Sequence, residues 1–241
     1  MQSFKRSAMC FAVFLIAVGG YFLGGCAPEE PSTRVETPAE TAVDLTMAER
    51  AEPVREEVPI PSADPITQER TLYDFERGNL SGWEIPQWAR AQRDYVAINA
   101  EVSDEAASSG EHSMKVSADF PGGLWTAALV EIQQYLDLSA YRVIRADVYL
   151  PEDAPMGLNV SLILTVGEDW RFVEMNRSFP LIPGEWVTIT ANIEPGSYDW
   201  KRIVPDEKFA QDVRKIAVRV ESNNRPAYTG DLFIDNVRAG R

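Results

Sequence analysis

From residue 71 to the end of the chain, apolar and polar side chains alternate with a period of two, the spacing of a half-buried strand rather than of a helix. The alternation predicts strands over residues 71–76, 96–103, 112–119, 126–134, 143–150, 158–166, 170–179, 185–193, 213–221 and 231–238. Turn sequences separate them: Ser109-Gly110, Pro121-Gly122-Gly123, Pro151-Glu152-Asp153, Pro183-Gly184 and Thr229-Gly230-Asp231. Only residues 206–212 read as a brief helix. Short strands in this number, divided by turn signals, predict an all-β sandwich or jelly roll.

The alternation stops upstream of residue 71. Residues 27–70 hold seven prolines (Pro28, Pro31, Pro38, Pro53, Pro59, Pro61 and Pro65), no aromatic residue, and eleven acids against four bases. Such a segment cannot bury enough apolar surface to offset ordering entropy, and it is predicted to be a disordered tether. Residues 8–23 are almost wholly apolar and follow Lys5 and Arg6. They are short for a bilayer span, which needs roughly 20 residues, and match a signal-peptide core. Leu23-Gly24-Gly25-Cys26 then resembles a bacterial lipobox. The resemblance implies a cleaved signal peptide (residues 1–25), a lipidated Cys26 heading a tether (26–70), and a single domain (71–241). Ala at position 27, rather than Asp, favours the outer membrane over retention at the inner one. Cys10 leaves with the signal peptide and Cys26 takes lipid, so the mature chain has no disulfide.

Charge and motifs narrow the function. The chain carries a net charge of −14, which argues against nucleic acid. It has one histidine, His112, within a predicted strand, and no phosphate loop or His/Cys metal motif. Nothing singles out a catalytic pair of carboxylates. The expected class is therefore a non-enzyme.

Five segments taken in order resemble the galactose-binding-like jelly roll of carbohydrate-binding modules, with families 11 and 4/9 the nearest. They are Leu72-Tyr73-Asp74-Phe75-Glu76 with Gly78 and Gly82-Trp83; Ser109-Gly110-Glu111-His112-Ser113-Met114-Lys115-Val116; Ala146-Asp147-Val148-Tyr149-Leu150-Pro151; Gly184-Glu185-Trp186-Val187-Thr188-Ile189; and Gly230-Asp231-Leu232-Phe233-Ile234-Asp235-Asn236-Val237. The resemblance implies adjacent first and last strands and a structural Ca²⁺ beside them, with Asp74, Glu76, Glu111 and Asp235 as candidate ligands. A second reading stays open, in which Glu76 and Asp235 cap backbone N–H groups or pair with arginine.

Strand phase supplies the candidate binding residues. On 143–150, Ile144, Ala146, Val148 and Leu150 point inward, leaving Arg145, Asp147 and Tyr149 on an open face. On 213–221, Lys215, Arg219 and Glu221 face out, and Glu131 and Gln133 join them. Residues 170–179 carry Arg171, Val173, Met175 and Arg177 on one side and Trp170, Phe172, Glu174 and Asn176 on the other. An open sheet face of Arg, Asp, Glu and aromatic rings suits a polysaccharide or oligosaccharide, whose hydroxyls take hydrogen bonds while its CH face stacks on a ring. Tyr149, Trp170, Trp125, Arg145, Asp147 and Glu221 are the candidates. The expected function is a membrane-anchored envelope lipoprotein that binds carbohydrate. The alternative is an envelope lipoprotein that uses the same sandwich to hold a protein partner.

Overall fold

The computed structural model describes residues 65–241 except Arg225. The signal peptide, Cys26 and the tether as far as residue 64 lie outside the described residues.

Eleven strands and one helical turn follow in order: β1 (Glu69–Tyr73), α1 (Gln87–Arg90), β2 (Ala97–Ser103), β3 (Ser113–Pro121), β4 (Ala127–Leu136), β5 (Val143–Tyr149), β6 (Asn159–Val166), β7 (Arg171–Glu174), β8 (Phe179–Pro180), β9 (Trp186–Asn192), β10 (Val213–Glu221) and β11 (Ala227–Gly240). They form two antiparallel sheets. Sheet A runs β2-β3-β11-β5-β9, with β1 also on β11; sheet B runs β4-β10-β6-β7, with β8 on β6. The fold is an all-β jelly-roll sandwich.

Alternation builds the core between the sheets. Ile144, Ala146 and Val148 of β5 and Leu232, Ile234 and Val237 of β11 come from sheet A. Val160, Leu162 and Leu164 of β6 and Ile216, Val218 and Val220 of β10 come from sheet B. Each fully buried side chain of this size is worth roughly 1.5–3 kcal/mol of apolar transfer. The inward phases read from the sequence on 143–150 and 213–221 are those of the structure.

Three elements differ from the sequence expectation. The first strand ends at Tyr73 rather than at residue 76, because Phe75 adopts φ 59° and turns the chain, with the Gly78 N–H closing onto the Phe75 carbonyl. Positive φ is an outlier for a bulky residue; here the turned Phe75 ring is buried in the core. Asp74 and Glu76 therefore leave from a loop. The same strand begins at Glu69, two residues inside the segment expected to be tether, and Thr67 and Gln68 donate backbone N–H groups to the carbonyl of Arg241. Residues 206–212 form turns rather than a helix. The one helical turn, α1, lies where Pro86 supplies a φ suited to a helix start.

The closing strand changes partner midway. β11 pairs with β3 as far as Ile234 and with β1 from Val237, and its register against β5 shifts between Asp235 and Arg238. Asn236, at φ 50°, marks the break. Asp235 thus sits where three strands meet.

Candidate functional site

The six candidate binding residues do not share a face. β5 belongs to sheet A, so Arg145, Asp147 and Tyr149 point to the outside of that sheet. Glu221 ends β10 and Trp125 precedes β4, both in sheet B. The grouping expected from the sequence is corrected accordingly. A period of two separates inside from outside, but a sandwich has two outsides.

The sheet A side is occupied by its own contacts. Asp147, 6% exposed, accepts hydrogen bonds from Ser108 Oγ at 3.0 Å, Thr188 Oγ1 at 2.7 Å, Asn236 Nδ2 at 3.0 Å and an Arg238 guanidinium N–H at 3.0 Å. Arg145 pairs with Glu69 of β1, whose second oxygen takes Arg238. Tyr149 lies in register with Phe233 on one neighbour and Trp186 on the other, with ring centroids 6.0 and 5.3 Å away. These residues staple β1, β5, β9 and β11 together.

Three of the four candidate metal ligands, Asp74, Glu76 and Asp235, cap backbone N–H groups. Asp235 is fully buried and accepts the N–H groups of Ser108, Ser109 and Asn236 together with the Ser108 hydroxyl. Burial raises the pKa of its carboxyl above the usual value, against the pull of those donors. Glu76 accepts the N–H groups of Glu111 and His112 at 3.0 and 2.8 Å, which hold its carboxyl below the usual range. Gly110 at φ 70° allows this approach, since a Cβ there would run into the Glu76 carboxylate. Asp74 accepts only the Glu76 N–H, and no group of three or more Asp, Glu, His or Cys gathers among the described residues. A hard cation wants several oxygen ligands; the carboxylates of Asp74, Glu76 and Asp235 instead face N–H donors, and Glu111 enters through its backbone N–H.

Sheet B carries a different surface on its outer side. Strand register lays it out in rows across β4, β10, β6 and β7. Leu129, Arg219 and Ser161 make one row; Glu131, Ala217, Ile163 and Glu174 the next; Gln133, Lys215, Thr165 and Phe172 the third. Leu129, Ala217 and Ile163 form a small apolar floor against which Tyr95 packs. Lys215 Nζ reaches Glu131 at 2.6 Å. Arg219 binds both Glu174 and Glu221, and Lys201 Nζ meets the other oxygen of Glu174 at 2.9 Å. Burial alone would raise the Glu174 carboxyl, but Lys201 and Arg219 outweigh it and the group sits below its usual range.

Aromatic rings rise at both ends of this face. Trp88, Tyr95 and Trp125 contact edge to face with centroids 4.9 and 6.1 Å apart, and the Arg219 guanidinium lies 5.8 Å from the Trp125 ring. Trp125 Nε1 donates to Glu221 at 3.2 Å. Burial, with the Glu174 and Asp94 charges and against that of Arg219, raises the Tyr95 hydroxyl. Trp170 stands in the β6–β7 turn at φ 54°, and Arg214 stacks on both it and Tyr135 at 5.0 and 5.3 Å. Arg214 and Glu221 are seven positions apart on β10, so the two aromatic groups are separated by roughly 23 Å of strand. Trp170, Trp125 and Glu221 therefore frame one surface, while Arg145, Asp147 and Tyr149 do not.

Two buried polar atoms in its floor lack any partner: Arg219 Nε and Ser161 Oγ, on residues 6% and 2% exposed. They belong to register partners on adjacent strands and open into a recess that Met175, Asn176, Arg177, Ser178, Lys201 and Glu221 complete. A buried donor without an acceptor costs about 1–3 kcal/mol, so such a pair is open to water or a ligand; Trp83 Nε1 in the core and Arg145 Nε on the sheet A side are single atoms in the same position, whereas Arg219 and Ser161 are adjacent. Sequence reading placed Arg219 outward but passed over Ser161 and Tyr95. A hydroxyl at an outward position of an apolar strand, as at Thr165 four residues on, was the available signal for Ser161.

Neither a protein-family model nor a curated protein matches the chain. Solved structures do. A study of promiscuous carbohydrate-binding modules of the β-sandwich superfamily supplies one, at 14% identity and TM-score 0.51, covering 71% of this chain and 62% of that one. A module specific for non-crystalline cellulose, of family 28, matches at 16% identity and TM-score 0.51 over 73% of this chain and 96% of its own. A family 27 module of Caldicellulosiruptor saccharolyticus, solved with mannohexaose, matches at 16% identity and TM-score 0.49 over 71% and 96%. At these identities the likeness is one of architecture: the chain folds as the β-sandwich that carbohydrate-binding modules build.

Proposed function

We propose that the protein binds carbohydrate without cleaving it, on the outer face of sheet B. The observation that carries this reading is the unpartnered pair Arg219 Nε and Ser161 Oγ, buried in the floor of a face framed by Trp125 and Trp170. A glycan supplies what the face lacks: oxygens for the two donors, and CH surfaces for the exposed rings. The fold's similarity to carbohydrate-binding modules supports the same reading. The paired charges of Glu174, Lys201 and Arg219 fix a rigid polar rim, the preorganisation that polar recognition requires.

In the same reading Cys26 carries the lipid, and residues 27–64 hold the sandwich away from an envelope membrane. Replacement of Cys26 by Ser should leave an unprocessed precursor that takes up no labelled palmitate. Normal maturation of that variant overturns the anchor.

Affinity electrophoresis against neutral and acidic polysaccharides tests the binding itself. Retardation by at least one, abolished by Arg219→Lys in a folded variant, is the expected result; Lys lacks the Nε–H and the planar fork. Mobility unchanged on every polysaccharide removes the carbohydrate reading and leaves the protein-partner alternative.

A further inference from the structure

The geometry points to an acidic glycan, one bearing uronate carboxylates, as the ligand of the sheet B face. This deepens the carbohydrate reading and rests on it. The whole chain is strongly acidic at −14, so most of its surface repels a polyanion. The recess is the reverse. Arg177, Lys201, Arg202 and Arg219 line it and the adjoining depression beside Phe172, against only Glu174 and Glu221.

Both carboxylates are paired, Glu174 through both oxygens and Glu221 through one. Glu174 is shared between Lys201 and Arg219, and Glu221 takes Arg219 and the Trp125 indole. Arg177 lies over the Phe179 ring at 5.0 Å, a contact that leaves its charge uncompensated. Arg202 is exposed at φ 59° and has no ion-pair partner among the described residues. Two positive charges thus remain beside two buried donors that have no acceptor. A glycan lying on the face excludes water from these groups. A neutral one would leave the arginine charges covered and unpaired. A sugar carboxylate offers two oxygens in one plane, matched to guanidinium and hydroxyl donors, and hydrogen bonds to it are roughly twice as strong as neutral ones.

The test is isothermal titration of the full chain with polygalacturonate, with the same polymer after reduction of its carboxyl groups, with mannan and β-glucan, and with dextran sulfate. Polygalacturonate should bind at least about tenfold tighter than its reduced form, and the difference should shrink as salt is raised. The Arg177→Ala/Arg202→Ala variant changes two exposed residues, so its melting temperature should hold. It should lose about tenfold in uronate affinity, the size expected of two partly screened contacts, and keep its affinity for any neutral polymer. Dextran sulfate binding as tightly as polygalacturonate would reduce the effect to general polyanion attraction and overturn the inference. Mannan or β-glucan binding tighter than polygalacturonate, in a Trp125-dependent way, would also overturn it while leaving the carbohydrate reading intact. No heat with any polymer would remove both.

Discussion

Asp147 and Arg219 pose the same question at the residue scale, since each is a charge buried within an apolar strand, and the structure answers it differently for each. Every oxygen of Asp147 has a donor, including a guanidinium N–H of Arg238. Arg219 keeps one donor free. The first is therefore part of the framework; the second, in the proposed function, faces the ligand. Replacing Asp147 by Ala leaves Arg238 with Glu69 as its remaining ionic partner and takes the acceptor from Ser108, Thr188 and Asn236; it should cost about 2–4 kcal/mol of stability, read as a lower melting temperature, with ligand affinity unchanged in the folded fraction. Tyr149→Ala should behave alike but more mildly, losing ring contacts to Trp186 and Phe233 worth about 1–3 kcal/mol. An affinity loss in a folded Tyr149→Ala protein would return the site to sheet A.

Strands and loops were unequally legible. Hydrophobic alternation located most of the expected strands, and the inward phase it gave for 143–150 and 213–221 holds because Ile144, Val148, Ile216 and Val218 must meet across one core; the expected strand 170–179 is instead two short ones, β7 and β8. The alternation could not say that β5 and β10 belong to different sheets, since outward residues of both look the same in sequence. That long-range pairing is set by β11 reaching β5 and by β10 lying between β4 and β6. The loop after β1 escaped for another reason: Phe75 at positive φ breaks the alternation that its sequence displays. Glu76 in that loop holds the turn at Glu111 and His112, and its folded carboxyl binds a proton less readily than in the unfolded chain. Its stabilisation is thus complete above the ordinary glutamate value of 4.5 and is lost as pH falls below it. Melting temperatures taken from pH 7 down to pH 3 should show a decline that Glu76→Gln lessens. Chelator should leave the pH 7 value unchanged, because the carboxylates near this loop already hold N–H groups. A drop on chelation would place a cation among them.

For the whole molecule, the sandwich divides its labour between its two outer surfaces. Sheet A's outside is consumed in joining the first, last and middle strands through Asp147, Arg238 and Glu69. Sheet B's outside has aromatic groups at both ends and unpartnered donors between them, and it is the face to which the proposed function assigns binding. Calorimetric titration of the full chain with whichever polysaccharide retards it, comparing wild type with Trp125→Ala and Tyr149→Ala, separates the two surfaces most directly. Loss of a ring that anchors a ligand costs about 2 kcal/mol or more, so Trp125→Ala should weaken binding at least about thirtyfold while Tyr149→Ala binds as wild type. The opposite pattern, with folded Trp125→Ala binding normally and folded Tyr149→Ala failing to bind, would contradict the assignment of the site to sheet B.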